Sequence, residues 1–246
     1  MNHQEPHAGM SEPPSAPGAS RLTPAELAAR IDHTLLRPQA SPADIDRLCD
    51  EGLAYGFAAV CVNPCYAARA ARRLAGRRPA VCTVVGFPLG ANASRVKSCE
   101  AAQALDDGAS ELDMVLPLGA ALAGDLDAVC RDVQAVLAAR DRLNPRALVK
   151  VILETAVLPA DTIIALCGRL SDLGADFLKT STGFHPAGGA TVAHVRLLAA
   201  HRGRCRVKAA GGIRNLAAAL ALLAAGADRL GASASLAILD QARTPS

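Results

Sequence analysis

Phe177 to Phe184 reads FLKTSTGF: a lysine near the end of an apolar run, followed at once by small hydroxyl residues and a glycine. Burying an ammonium group costs several kcal/mol in order of magnitude unless it is paired or loses its proton, so Lys179 calls for a chemical explanation. The device recurs one strand–helix unit later in CRVKAAGGIR (Cys205–Arg214), where Lys208 precedes Gly211 and Gly212. Two such lysines could face one another across a shared site. A nucleophilic lysine must be neutral, yet an unperturbed lysine titrates at about 10.4. A second ammonium group and a partly desolvated pocket both favour the neutral amine, so Lys208 beside Lys179 would suit a nucleophilic role for Lys179. A third group belongs to the set. In Ser110–Leu116, period two puts Glu111, Asp113 and Val115 on one face and Leu112, Met114 and Leu116 on the other, so Asp113 joins the lysines and could exchange protons with substrate hydroxyl groups. By the same parity Phe177, Lys179 and Ser181 share a face, as do Arg206, Lys208 and Ala210, and Lys150, Ile152 and Glu154. On residues alone a bland alternative stays open, in which Lys179 and Lys208 only form ion pairs with Asp113, Glu111 or Glu154.

Gly211 and Gly212, directly after one strand, and Ser233, after the next, stand where barrels hold phosphate with backbone N–H groups and a helix N-terminus. For an isolated Gly-Gly, an ordinary tight strand-to-helix turn serves equally well.

The elements that must position these groups are legible in the alternation of the chain. Eight short β-like runs are predicted at Ile31–Leu35, Phe57–Val62, Ala80–Gly86, Ser110–Leu116, Ala147–Leu153, Asp176–Ser181, Cys205–Ala210 and Asp228–Gly231. Between them lie Ala- and Leu-rich amphipathic segments with start signals at Ser41-Pro42, Asn63-Pro64 and Asn92-Ala93-Ser94, and three stop at Gly108, Gly174 and Gly226. Strands separated by helices are parallel, and eight such units close into a single-domain α/β (β/α)8 TIM barrel with reactive groups at the carboxyl ends of its strands. A doubly wound open sheet is the runner-up, but the first strand lacks the Gly-rich dinucleotide turn. Thr23-Pro24-Ala25-Glu26 predicts a short N-terminal helix opening the domain, 21–246. Residues 1–20, rich in Pro, Ser, Gly and Ala, are expected to be a disordered tail.

Composition narrows the function classes. Of 246 residues 51% are hydrophobic but only 2% aromatic, so the core is packed with Ala, Val, Leu and Ile. A net charge of +3, with arginines scattered over helix-like segments, argues against nucleic acid as a partner. The longest uncharged apolar stretch, Asn215–Ala227, falls short of the roughly 18–20 residues of a membrane span, and Met1–Ser20 holds no secretory h-region. Eight cysteines sit mostly within apolar strand or helix patterns, as expected of buried free thiols in a cytoplasmic protein. Cys61 and Cys65 lack the spacing and the second pair of a zinc site, so no metal is expected.

IDHTLL (Ile31–Leu36), VCVNP (Val60–Pro64), TVVGFPLG (Thr83–Gly90), ELDMVLPLGAALAGD (Glu111–Asp125), VKVILET (Val149–Thr155), FLKTSTGF, VKAAGGIR (Val207–Arg214) and RLGAS (Arg229–Ser233) together resemble the 2-deoxyribose-5-phosphate aldolase family, over about residues 22–240. The resemblance implies a class I, metal- and cofactor-independent aldolase on a TIM barrel. Such an enzyme cleaves 2-deoxy-D-ribose 5-phosphate to D-glyceraldehyde 3-phosphate and acetaldehyde in deoxyribonucleotide catabolism, and a homodimer is implied too. It makes Lys179 the Schiff-base lysine, Lys208 the lysine that perturbs it, Asp113 the proton-relay aspartate, and Gly183, Gly211, Gly212 and Ser233 the phosphate-binding positions. Three departures stand out: Ala234 where the family usually has a second serine, His185 where a serine or a basic residue is more usual, and an N-terminal tail longer than the family needs. The alternatives are another phosphosugar lyase or isomerase using Lys179 as an acid–base group, and a non-catalytic phosphosugar-binding protein. The latter need not keep Lys179, Lys208 and Asp113 together.

Overall fold

The computed structural model describes residues 22–243. The expected tail, 1–20, lies outside them. Helix α1 (Pro24–Ala28) leads into β1 (Ile31–Leu35), α2 (Pro42–Tyr55) and β2 (Ala59–Val62). A 3-10 turn, Pro64–Tyr66, and α3 (Ala67–Leu74) precede β3 (Ala80–Val85), α4 (Ser94–Asp106) and β4 (Glu111–Val115). The connection to β5 (Leu148–Ile152) contains two helices, α5 (Leu118–Leu122) and α6 (Leu126–Leu143). Then follow α7 (Ala160–Leu173), β6 (Phe177–Lys179), α8 (Val192–His201), β7 (Arg206–Ala210), α9 (Leu216–Ala224), β8 (Arg229–Ala232) and α10 (Ser235–Arg243).

Every strand pairs in parallel with its sequence neighbour, and β1 pairs with β8 through Ile31–Leu230, Asp32–Gly231 and His33–Ala232. The sheet is a closed eight-stranded barrel, so the open doubly wound alternative is excluded. Two start signals act through capping boxes, Thr23 with Glu26 and Ser41 with Asp44, each placing proline in the first turn. Two others differ from expectation. Asn63 opens only the 3-10 turn, because its side-chain amide donates to the carbonyls of Leu36 and Arg37 instead. Helix α4 is flanked by Ala93 without a side-chain cap.

The outward residues of the strands, among them Val60, Val62, Leu112, Met114, Val149, Val151, Leu178, Val207 and Leu230, are continuous with the helix faces in one large apolar core. The inward residues split. On β2 and β3, Ala59, Cys61, Cys82 and Val84 form a small separate apolar cluster, while β1, β4, β5, β6, β7 and β8 turn ionisable side chains into the lumen. At the amino end of the lumen the buried Phe177 ring lies under two guanidinium groups, Arg206 at 4.1 Å and Arg229 at 5.6 Å.

The thiol expectation needs correcting. All eight cysteines are free, but Cys65 and Cys99 are exposed and Cys130 is half-buried; only the other five are buried. Cys65 lies in the 3-10 turn and Cys99 on α4, and neither segment buries all of its faces.

Candidate active site

The parallel register sets Asp113 beside Lys150, Ile152 beside Lys179, and Lys179 beside Lys208. Three lysines on consecutive strands therefore converge on one carboxylate. Lys150 Nζ donates to Asp113 Oδ1 at 2.8 Å, while Lys179 Nζ and Lys208 Nζ donate to Oδ2 at 2.6 and 2.7 Å. Asp113, Lys179 and Lys208, brought forward by strand parity, meet on one oxygen atom.

The set is wider than the sequence suggested. Lys208 also donates to Asp32 on β1, whose second oxygen accepts from Arg229 at 2.6 Å. Lys150 also pairs with Glu111 at 2.7 Å, and the Cys82 thiol donates to Asp113 Oδ1 at 3.2 Å. Asp32, Asp113, Lys150 and Lys208 are fully buried; Lys179 is 3% exposed. Burial alone would push Asp113 up, but Lys150, Lys179 and Lys208 hold it well below the usual carboxylate range. Asp32, likewise opposed by burial, is lowered to about 2 by Lys208, Lys150 and Arg229. Burial would lower Lys208, yet Asp113 and Asp32 raise it above the ordinary lysine value, so it is a permanent cation. Lys150 is raised in the same way, chiefly by Asp113.

Two groups of side chains in this lumen carry metal-ligating atoms close together, Cys61 with Cys82 and Asp113, and Asp32 with Cys82 and Glu111. Their carboxylates are already bonded to ammonium or guanidinium groups. A cation would have to displace these partners.

Above this cluster opens a cavity of about 810 Å³. Lys179 and Lys208 line its inner end, and Gly183, Gly211, Gly212 and Ser233 line another part of its wall. All four glycine and serine positions proposed from sequence thus share one cavity with the two lysines. Asp113 does not line it; the aspartate stands behind the lysines. Arg37, Arg47 and Arg214 also border the cavity.

The glycine end is built by close backbone approach. Gly211 has φ 92°, and a Cβ added to it would lie 2.9 Å from Gly189 Cα and 3.2 Å from Gly183 Cα. The Ala190 N–H donates to the carbonyls of Ala210 and Gly211 at 3.0 and 3.1 Å, which locks the 183–190 loop onto the end of β7. Gly189 does not line the cavity but packs against the Gly211 backbone that does. Ser233 is exposed and precedes α10, which begins at Ser235 rather than at Ser233. Ser235 does not replace the missing second serine, because its buried hydroxyl donates to the Ala232 carbonyl at 2.7 Å. His185 turns its Nδ1 to the Ala187 N–H at 3.1 Å and serves the loop itself.

Comparison with known proteins agrees with this geometry. The sequence matches the model of the DeoC/LacD family aldolases over residues 27–241. It is 51% identical over 221 residues to the deoxyribose-phosphate aldolase of Nocardia farcinica, covering 89% of this chain and 95% of that one. To the deoxyribose-phosphate aldolase of Enterococcus faecalis it is 47% identical over 218 residues, 88% and 97% of the two chains. Among solved structures, the tetrameric deoxyribose phosphate aldolase of Aeropyrum pernix superposes with a TM-score of 0.83 at 36% identity, covering 89% of this chain and 92% of that one.

Proposed function

We propose, for a chain that belongs to the DeoC/LacD family of aldolases, a reversible cleavage of 2-deoxy-D-ribose 5-phosphate to D-glyceraldehyde 3-phosphate and acetaldehyde, with Lys179 as the nucleophile. The observation that carries the assignment is the charge count of the lumen. Lys150, Lys179, Lys208 and Arg229 face three carboxylates, Asp32, Glu111 and Asp113. The set balances when one amine is neutral. Lys150 is fully buried and held by Asp113 and Glu111, and Lys208 by Asp113 and Asp32, whereas Lys179 pairs with Asp113 alone and borders the cavity.

Neutral Lys179 attacks C1 of the open-chain sugar phosphate, and loss of water from the carbinolamine gives an iminium that withdraws electrons from C2. Removal of the C3 hydroxyl proton then converts C3–O to a carbonyl as the C2–C3 bond breaks. The bonding pair passes to C1–C2 as an enamine, and glyceraldehyde 3-phosphate leaves. Because Asp113 is buried behind the lysines, the proton travels to it through water beside Lys208, whose fixed charge steadies the developing oxyanion. Protonation of the enamine at C2 and hydrolysis release acetaldehyde and free Lys179. The iminium supplies the polarisation that a metal would otherwise provide. Gly183, Gly211, Gly212 and Ser233 receive the phosphate with backbone N–H groups and a hydroxyl.

Cytoplasmic residence fits the eight free thiols, and no helix among the described residues is long and apolar enough to cross a membrane. A homodimer, as the resemblance implies, completes the reading; sedimentation of the full chain tests it. The single domain is taken to span 21–246.

Reductive trapping tests the nucleophile. Incubation with acetaldehyde and borohydride should leave an ethyl group on the Lys179 peptide, seen by mass spectrometry and lost in Lys179→Ala. An adduct confined to Lys150 or Lys208 would overturn the assignment.

A further inference from the structure

Glu154, two residues past β5, is a buried carboxylate outside the ammonium cluster. It is 1% exposed, and among the described residues no cation lies within ion-pair distance of it. Its side-chain hydrogen bonds all go to one residue: Oε2 accepts from the Thr182 hydroxyl at 2.5 Å and from the Thr182 N–H at 3.2 Å, while Oε1 has no partner. Its backbone is equally unusual, with φ 55°, the left-handed region that a side-chain-bearing residue seldom enters without tertiary enforcement. The enforcement is visible on either side. The Leu153 N–H donates to the Lys179 carbonyl at 3.0 Å and the Thr155 N–H to the Thr180 carbonyl at 2.9 Å, so the chain stays fastened to the end of β6 while Glu154 alone swings out toward Thr182.

The Thr182 hydroxyl, in turn, accepts from the Phe184 N–H at 3.1 Å, closing a turn around Gly183. Gly183 packs against Gly211, and both line the cavity. A buried, strained carboxylate is an expensive way to hold an ordinary loop. We propose that Glu154 is a positioning residue of the phosphate end: it fixes the Thr182–Phe184 turn so that the Gly183 backbone meets Gly211 and presents its face of the cavity to the phosphate dianion. The inference rests on the phosphate reading above and deepens it. Glu154 does not line the cavity and touches no reacting atom in this reading; it acts through Thr182.

The test compares 2-deoxyribose 5-phosphate with unphosphorylated 2-deoxyribose, in kcat and KM separately, for wild type, Glu154→Ala and Glu154→Gln. In Glu154→Ala, KM for the phosphorylated sugar should rise about tenfold or more, because the loop must be ordered by the substrate itself, and most of the preference for the phosphorylated sugar should vanish. Glu154→Gln should restore most of that preference, since an amide oxygen accepts from the same N–H and O–H. Equal losses on both sugars in Glu154→Ala, or a glutamine variant as impaired as the alanine variant while melting like wild type, would overturn the proposal. The two readings fail separately. If wild type does not discriminate between the sugars, the phosphate site falls and Glu154 with it; if wild type discriminates and Glu154→Ala does so equally, the site stands and the anchor is refuted. Should Glu154→Ala not fold, Thr182→Val removes the 2.5 Å bond to Glu154 together with the 3.1 Å bond from the Phe184 N–H and must show the same rise in KM.

Discussion

Replacing Lys208 with leucine isolates the electrostatic claim of the site. Lys179 and Lys208 are bonded to the same Asp113 oxygen at 2.6 and 2.7 Å, so their nitrogens are no more than about 5 Å apart. At an effective dielectric of about 20, two like charges at that distance repel by about 3 kcal/mol, about a hundredfold in an equilibrium constant at room temperature. Lys208 remains a cation because Asp113 and Asp32 outweigh its burial, so its charge acts on the nucleophile throughout the working range. Removing it lifts that repulsion from the site, so kcat/KM should fall by about a hundredfold at neutral pH and the acid limb of its profile should move up. The cost in stability is separable. Asp113 keeps Lys150 and Lys179, and Asp32 keeps Arg229, so the loss should fall at or below the about 3–5 kcal/mol of a buried carboxylate stripped of its only partner. Stopped assays over pH 5–10, read beside urea unfolding of the same variant, measure both. A folded Lys208→Leu protein with wild-type rate and an unmoved acid limb would refute the reasoning.

Ser233→Asp should lower kcat/KM for deoxyribose 5-phosphate at least tenfold, in order of magnitude, while sparing unphosphorylated deoxyribose, because it sets a carboxylate against the dianion; equal losses would mean that Ser233 supports the fold alone. Gly189→Ala puts a Cβ 2.3 Å from the Gly211 carbonyl oxygen, so the 183–190 loop must lift from β7; KM for the phosphorylated sugar should rise several-fold, in order of magnitude, and an unchanged KM would dismiss that contact. Acid stability follows from Asp32, whose folded-state value of about 2 lies below the 3.8 of a free aspartate. A depressed carboxylate stabilises above its unfolded value and loses that contribution as pH falls through the folded one, so about 2 kcal/mol should disappear between about pH 4 and pH 2. A urea midpoint unchanged from pH 5 to pH 3 would contradict it.

Strand order, barrel closure and the side-chain parity of β4, β6 and β7 were legible because each follows from a local period, and the inward faces announced themselves by polarity. The expected run matches β1 and lies one residue early at β8, while the other six exceed the observed strands by a residue or two at one or both ends, most of all at β6, which is only Phe177–Lys179, because a strand ends where its ladder partners end and sequence does not show them. Parity failed at Glu154 for a related reason. Period two was carried past the end of β5 into a residue with left-handed φ, so its carboxylate left the lumen and joined Thr182. Asp32 has the inward parity of β1, but its significance lies in Lys208, a partner 176 residues away. Gly189 is likewise a glycine only because Gly211 needs the space, a condition set entirely by tertiary approach.

The ion pairs of the lumen and its chemistry are one arrangement rather than rival accounts. Lys150 occupies Asp113 Oδ1 and leaves Oδ2 to the two lysines at the cavity. Were Lys150 absent, Asp113 could rotate toward either neighbour and the two cavity lysines would lose their common reference. When neutral Lys179 becomes a cationic iminium, the lumen regains one positive charge in the step that breaks C2–C3, and Asp113 keeps Lys150 and Lys208 as fixed cationic partners while that charge comes and goes. Lys150 and Lys208, each fixed between carboxylates on different strands, keep Asp113 in place through that change. Three lysines on one aspartate therefore serve distinct ends, and only the one whose neutrality balances the lumen is free to react.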